Sequence, residues 1–292
     1  MEQSELFEMS RTSWNKRVAV HMKSDFYFLE EFLNGKSSLN EIELNLLGDI
    51  RGKSILHLQC HFGQDTLSLA RMGAEVTGVD LSDTAIEKAK ELNTQMNLNA
   101  EFVCCNVYDL KDHLDKKFDI VFTSYGTIGW LPDLNRWAEV VSYFLKPSGK
   151  FIFVEFHPVM WMFDNDFQTL GYNYFNAGPD IETSTGTYAD PTSDIEITCA
   201  FWNHSTSEVL TSLLGQGLQL TQFQEFDYSP YACFKHAEEF EPGKFRVKHF
   251  GNKMPLVFAL EVVKRYAAPN GLQLGEVADF EALTFILTLM FI

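Results

Sequence analysis

Apolar positions along the chain switch between a helical period and short solid runs, the pattern of helices laid against a buried sheet. Over the first 51 residues, Trp14, Val18 and His21 recur at near-helical spacing. Phe26, Leu29, Phe32 and Leu33 repeat the pattern up to Asn34-Gly35, and a helix over 39–47 stops at Gly48. Ile55, Leu56 and Leu58 then give a short buried strand, and Leu67, Leu69, Ala70 and Met72 give the apolar face of the helix that follows. Arg71 and Gly73 suit that helix's C-terminal turn. A second strand, Val76 to Val79, stops at Asp80, and Ser82 caps a helix running to about Asn97. Further strands are predicted over 100–105, 118–123 and 150–156, with a helix from Pro132 or Asp133 to about Leu145 before the last of them. From Val159 to His204 the composition shifts to aromatics, Asn, Asp, Gly and Thr. Alternation over 183–188 and 195–202 predicts a hairpin insertion there. Ser205 caps one more helix, and 218–226 and 255–263 read as strands. Strands alternating with helices in this order predict an α/β protein with a mainly parallel sheet.

The stretch from Ser54 to Asp80 is a strand, turn, helix and strand ending on a lone carboxylate. In such a unit the turn packs against a cofactor and the terminal acid accepts hydrogen bonds from ribose hydroxyls, so a ribose-bearing ligand is expected. Of the glycines of a dinucleotide fingerprint only Gly63 is present, flanked by Gln59, Cys60, His61 and Phe62. A pyrophosphate needs bare backbone, which Gln59 and His61 deny it; a nicotinamide dehydrogenase would carry glycines at both positions. A ligand without phosphates fits better.

The block LHLQCHFGQDTLSLARMGAEVTGVDLS, followed by TSYGTIGWLPDL, resembles the Rossmann-like (class I) S-adenosylmethionine (SAM) dependent methyltransferases, in particular a bacterial small-molecule branch of uncharacterised substrate. The resemblance covers roughly Trp14 to Arg265. It implies a doubly wound, seven-stranded, mostly parallel sheet with an antiparallel last strand, preceded by N-terminal helices and interrupted after strand 5 by a β-rich insertion. It implies one domain over 1–265, with 1–51 as a helical lid and 158–204 as the insertion; 266–292 is a tail of unknown role. On the family's motif the usual acid falls on His57, the three glycines on Gln59, His61 and Gly63, and the ribose acid on Asp80. Cys60 within that turn and Leu81 after Asp80 join the same cofactor set. Asn106 stands where the family carries an adenine-contacting acid, with the Val107 backbone beside it; an amide oxygen preserves the acceptor. The lid would bring Arg17, Tyr27 and Phe28 over the cleft.

The glycine-punctuated loop Ser124 to Pro132 lies at the C-terminal edge of the fourth strand, where ligands of open α/β sheets bind, so Ser124 is placed with the cofactor. Tyr125 and Trp130 can face a sulfonium, an attraction of about 0.5 to 2 kcal/mol for a ring over a cation. The fifth strand delivers Glu155, His157 and Pro158 to that edge, and His157 is expected as a substrate-side base because its pKa suits proton transfer near pH 7. Trp161, at the start of the insertion, is expected to line an aromatic acceptor pocket together with Tyr27 and Phe28.

With 292 residues, 46% of them hydrophobic, the chain can bury a large core. A net charge of −17 argues against nucleic acid, which is held by clustered cations, and no basic helix offers itself to a membrane. The acidic N-terminus lacks an export pattern, the longest apolar run is too short to span a bilayer, and five cysteines without framework spacing fit a reducing cytoplasm. No metal-ligand spacing is present. The expected activity is methyl transfer from SAM to a small molecule; the alternative is a SAM-binding module that has lost catalysis. Acceptor and oligomeric state are not legible.

Overall fold

The computed structural model describes residues 1–265; the tail expected over 266–292 lies outside the described residues. The N-terminal region folds as α1 (Gln3–His21), a 3-10 turn at Asp25–Tyr27, α2 (Leu29–Leu33) and α3 (Glu41–Leu47). Asn40 and Glu43 form a reciprocal cap at the start of α3. The sheet begins with β1 (Ser54–Leu58), whose five residues are all buried, and continues through α4 (Gln64–Arg71), β2 (Glu75–Asp80), α5 (Asp83–Gln95), β3 (Glu101–Cys104), β4 (Phe118–Ser124), α6 (Leu134–Phe144) and β5 (Leu145–Phe156). Ser82 and Asp133 cap α5 and α6 with their side-chain oxygens. The insertion carries β6 (Asp180–Thr185) and β7 (Glu196–Phe201) as an antiparallel hairpin. After it come α7 (Thr206–Gly215), β8 (Leu218–Phe226), β9 (Ala237–Glu241), β10 (Lys244–Val247) and β11 (Val257–Lys264).

The seven-stranded sheet has the order β3-β2-β1-β4-β5-β11-β8, with β11 antiparallel to both β5 and β8 and the β1, β2, β3, β4 and β5 pairings parallel. The expected fold is therefore the observed one. The antiparallel hairpin β9–β10 is the element absent from the sequence expectation, although Pro242-Gly243 between two Phe-bearing runs is a turn signal. Helices cover both faces. Trp137, Val141 and Phe144 of α6 pack on Phe151 and Phe153 of β5, while Ile42 and Leu46 of α3 cover Ile120 and Ile152 on the opposite face. Among the described residues no helix is long and apolar enough to cross a membrane.

Strand order reverses between β1 and β4, and the crevice at the carboxyl ends of these two strands is where an open α/β sheet receives a ligand. The turns after β1, β2 and β4 meet there, and α1 lies across them.

Candidate functional site

The turn after β1 keeps the backbone of a glycine loop without its glycines. Gln59 and His61 hold φ of 55° and 51°, the left-handed region that a bulky residue enters only under constraint, and Gly63 follows at 81°. Gly63 cannot be exchanged in the same way, because a Cβ there would meet the Phe102 ring at 2.8 Å. The two unusual side chains each make a tie that explains the constraint. Gln59 donates through Nε2 to the Thr127 carbonyl at 2.7 Å, bridging to the loop after β4, and His61 reaches upward to α1. Cys60 is buried beneath the turn, its thiol pushed up by burial, and its sulfur contacts the backbone rather than the crevice.

Asp80 ends β2 as expected and faces that turn. Its two oxygens accept the backbone N–H of His61 and of Ser82, each at 2.8 Å. Burial lifts the carboxyl to about 6 while these N–H groups pull it back down. Each oxygen retains a lone pair for a further donor. Leu81 is half-buried beside it.

The loop after β4 is held from below by Glu155, which is 2% exposed. Its carboxylate accepts the N–H groups of Gly126, Thr127, Ile128 and Phe156 and the Thr127 hydroxyl. Trp130 closes the loop by donating Nε1 to the Gly126 carbonyl at 2.7 Å. Tyr125 sits in the left-handed region (φ 41°), its hydroxyl donating to Glu43 of α3 at 2.9 Å. Ser124 donates to Asp65 at the start of α4 at 3.1 Å. Glu155→Gln replaces one acceptor oxygen with an amide that confronts backbone N–H groups. It is expected to lower stability by about 1 to 2 kcal/mol, read as a lower urea midpoint at unchanged slope.

Over the crevice, α1 presents Trp14, Arg17 and His21. Trp14 meets His61 at 5.0 Å and Trp130 at 5.2 Å between ring centroids, both edge to face. The Arg17 guanidinium lies 5.1 Å from the Trp14 ring and 5.3 Å from the Trp130 ring. Its side chain is 8% exposed, bonds Ser13, and meets no carboxylate among the described residues. His21 Nδ1 and His61 Nε2 share a proton at 3.0 Å. The outer nitrogens of this pair, His21 Nε2 and His61 Nδ1, are buried without a hydrogen-bond partner, as is Gln59 Oε1. Three unsatisfied polar atoms around one turn are costly, each at about 1 to 3 kcal/mol, and mark a place where polar ligand groups would be welcome. Outside the crevice, Arg11 and Asn15 of α1 bind Asp83, and Asn15 accepts from Ser82, so α1 is fastened to the turn that follows Asp80.

The histidine pair makes this closure sensitive to acid. Burial, aided by Arg17, lowers His21 to about 3, and burial beside His21 and Arg17 drives His61 well below the ordinary range. A group whose folded pKa is depressed is protonated more readily once released. The closed packing is therefore fully favoured above about pH 6.5 and loses stability as pH falls toward 3. For His21 alone the loss between pH 7 and pH 5 is about 2 kcal/mol. A thermal midpoint that falls on acidification, and falls less in His21→Gln, is the expected result; an equal fall in both would remove the pair from the pH response.

Several expected residues stand elsewhere. His157 is not beside Tyr125: its Nε2 meets Glu225 of β8 at 2.9 Å, its Nδ1 accepts the Val159 N–H at 3.2 Å, and its ring packs by Phe258. The chain turns toward β11 at the end of β5, carrying this side chain to the far half of the sheet. Phe28 is 50% exposed, with Lys36 over its ring, and stays outside the crevice. Trp161 packs among Phe156, Phe201 and Phe234 beneath the insertion. His57 is buried below the turn, its Nδ1 2.8 Å from the Thr66 hydroxyl, and burial lowers it to about 4. Asn106 is at the crevice edge, where its Oδ1 caps the Tyr108 N–H at 3.1 Å and keeps a second lone pair; Val107 is buried beside it. Tyr27 lies at the crevice, its ring against His61 and Phe62 and its hydroxyl on Tyr188 of the insertion. Glu43, Asp65 and Trp14 had no sequence signal as site residues, because a cap, a first-turn acid and an amphipathic aromatic each have an ordinary structural reading.

Comparison with known proteins agrees with this architecture. Residues 55–149 match the family model described as a methyltransferase domain. The ubiquinone biosynthesis O-methyltransferase of Coxiella burnetii is 34% identical over 104 residues, 36% of this chain and 44% of that protein. This chain thus spans less than half the length of that curated relative. An uncharacterized protein of Haemophilus influenzae is 23% identical over 229 residues, 72% of this chain and 87% of that one. Among solved structures, a S-adenosylmethionine-dependent methyltransferase from Clostridium acetobutylicum superposes with a TM-score of 0.55 at 16% identity, over 87% of this chain and 99% of that one. The DhpI–SAH complex superposes at 0.53 with 17% identity, over 91% and 100%. The fold is that of the class I SAM-dependent methyltransferases, as the sequence resemblance implied.

Proposed function

We propose that this chain transfers the methyl group of SAM to a small-molecule acceptor. The observation that carries the proposal is the pair of opposite charges facing one crevice, the Asp80 carboxylate at the end of β2 and the buried Arg17 guanidinium, which has no acidic partner among the described residues. A nucleoside attached to an amino acid offers hydroxyls to the first and a carboxylate to the second. The unsatisfied atoms of Gln59, His61 and His21 supply further polar partners between them. In this reading Asp80 and Leu81 hold the ribose side, Asn106 and the Val107 backbone the adenine, and Ser124 with the Gln59–Gly63 turn the amino-acid side. His57 and Cys60 support that turn from beneath. The match of residues 55–149 to a methyltransferase domain supports the assignment.

SAM supplies an electrophilic methyl group on a sulfonium, so the protein's task is to align a nucleophile with it and to exclude water. Trp130 and Tyr125 border the place where that cation would lie, and α1 acts as the lid, with Trp14 and His21 closing on Trp130 and His61. Entry then requires α1 to lift, releasing the histidine pair. Five unpaired cysteines support a reducing compartment, the cytoplasm. Net charge of −17 supports a small-molecule acceptor over a polyanion.

A second reading, a SAM-binding module without turnover, is favoured by one feature, the filling of two glycine positions by side chains that tie the turn to Thr127 and to α1. Tritiated methyl-SAM incubated with mixed small acceptors separates the two. Label in a new product supports methyl transfer; tight SAM binding with no label in any product supports the module.

A further inference from the structure

Between α3, the loop after β4 and the insertion lies a cluster of tyrosines that adjoins the cofactor crevice through Tyr27 and Tyr125. Tyr27, Tyr125, Tyr188 and Tyr231 come from four different segments and converge through Phe26. Tyr231 meets Tyr125 at 5.1 Å and Phe26 at 5.7 Å between centroids, Phe26 meets Tyr188 at 5.3 Å and Tyr27 at 5.2 Å, and the Tyr27 and Tyr188 hydroxyls bond each other. Two carboxylates stand in the same place. Glu43 is fully buried, taking bonds from Tyr125 and Asn40, and Asp65 bonds Ser124. Neither forms an ion pair among the described residues. The Arg17 guanidinium stacks against the Trp14 and Trp130 rings instead. Tyr27, Tyr125 and Tyr231 remain half-buried and Tyr188 exposed, so the ring cluster opens to solvent at one side. The unpartnered Nε2 of His21 borders it, its ring 4.9 Å from Tyr188 and 5.2 Å from Tyr27.

We infer that this box receives a cationic acceptor, an amine that arrives as its ammonium and is methylated on nitrogen; the inference rests on the methyltransferase reading above. Aromatic faces with uncompensated carboxylates attract an ammonium and repel an anion. The same surroundings decide against a phenolic acceptor. They push the protein's own Tyr27, Tyr125 and Tyr231 well above the ordinary phenol range, chiefly by burial and further by Asp65 and Glu43, and would keep a bound phenol protonated likewise. An amine needs only to lose one proton, and burial together with Asp65 raises the Glu43 carboxyl to about 7, where it can take that proton at neutral pH.

The step balances. One N–H bond of the ammonium breaks with its electron pair left on nitrogen, and the proton passes through the Tyr125 hydroxyl to the Glu43 carboxylate. The nitrogen pair forms the new N–C bond while the S–C bond breaks with its pair to sulfur. The products are a methylammonium, S-adenosylhomocysteine and a protonated Glu43 that releases its proton to water.

The test uses the full chain, titrated first with S-adenosylhomocysteine (SAH) alone and then, in its presence, with choline and with its neutral isostere 3,3-dimethylbutan-1-ol. Choline is expected to bind at least tenfold more tightly than the alcohol. Glu43→Gln, which keeps an oxygen to cap Asn40, and Tyr231→Leu are each expected to lower choline affinity at least fivefold with SAH affinity held within twofold. Equal binding of choline and the alcohol, or variants that leave choline affinity unchanged, would overturn the inference. So would label from methyl-SAM entering catechol or 4-hydroxybenzoate but no primary amine, and that result would leave methyl transfer itself standing. Absence of SAH binding would instead remove the methyltransferase reading and this inference with it.

Discussion

Replacing Asp80 by alanine is expected to weaken SAM binding by about 1.5 to 3 kcal/mol, roughly ten- to hundredfold, the usual worth of a hydrogen bond to a charged group. The position of the carboxylate argues for the upper part of that range. Its oxygens are already oriented by the His61 and Ser82 N–H groups, so a ligand hydroxyl meets a fixed acceptor and loses little to reorganisation. The variant also leaves those two N–H groups without a partner, and a lower thermal midpoint accompanies the lost affinity. Equilibrium dialysis of the folded protein separates the two effects, and a dissociation constant equal to the wild type would take Asp80 out of the site.

Arg17→Met is expected to cost SAM affinity by a similar ten- to hundredfold while leaving stability unchanged or raising it. The opposite signs are the point of this substitution. A buried guanidinium with no carboxylate partner among the described residues is a charge removed from water without full compensation, and methionine fills the place beside Trp14 and Trp130 without that charge. A residue present only to stack its cation on the two indoles would lose stability on substitution and leave affinity untouched. Thermal denaturation beside SAM titration distinguishes these outcomes, and destabilisation at constant affinity would assign Arg17 to the fold alone.

How far the sequence leads depends on whether a residue's role is local. The strand that ends on Asp80, the Ser82 cap, the helix opening at Pro132 or Asp133 and the strand and helix flanking Gly63 are written in neighbouring residues, and each stands where the local signals put it. The mostly parallel sheet with an antiparallel last strand was reached through resemblance, and the strand order came only with the structure, since nothing local to β11 says that it inserts between β5 and β8. His157 is the instructive miss. Its place after β5 and its ordinary pKa suited it to a base, but the direction of its side chain is set by Glu225, a partner 68 residues away. Glu43 and Tyr125 are 82 residues apart, His21 and His61 40. Such pairings are tertiary, and a single sequence carries no local trace of them. Gln59 and His61 read as obstacles to a pyrophosphate; in the fold they keep the left-handed backbone of the missing glycines and spend their side chains as ties to Thr127 and α1.

Central to the whole account is that the crevice between β1, β2 and β4 accepts an adenosyl amino acid. Calorimetric titration of the wild-type chain with SAH at pH 7.5 measures this directly. One site per chain with a micromolar dissociation constant is expected; heats no larger than dilution up to millimolar SAH would contradict this.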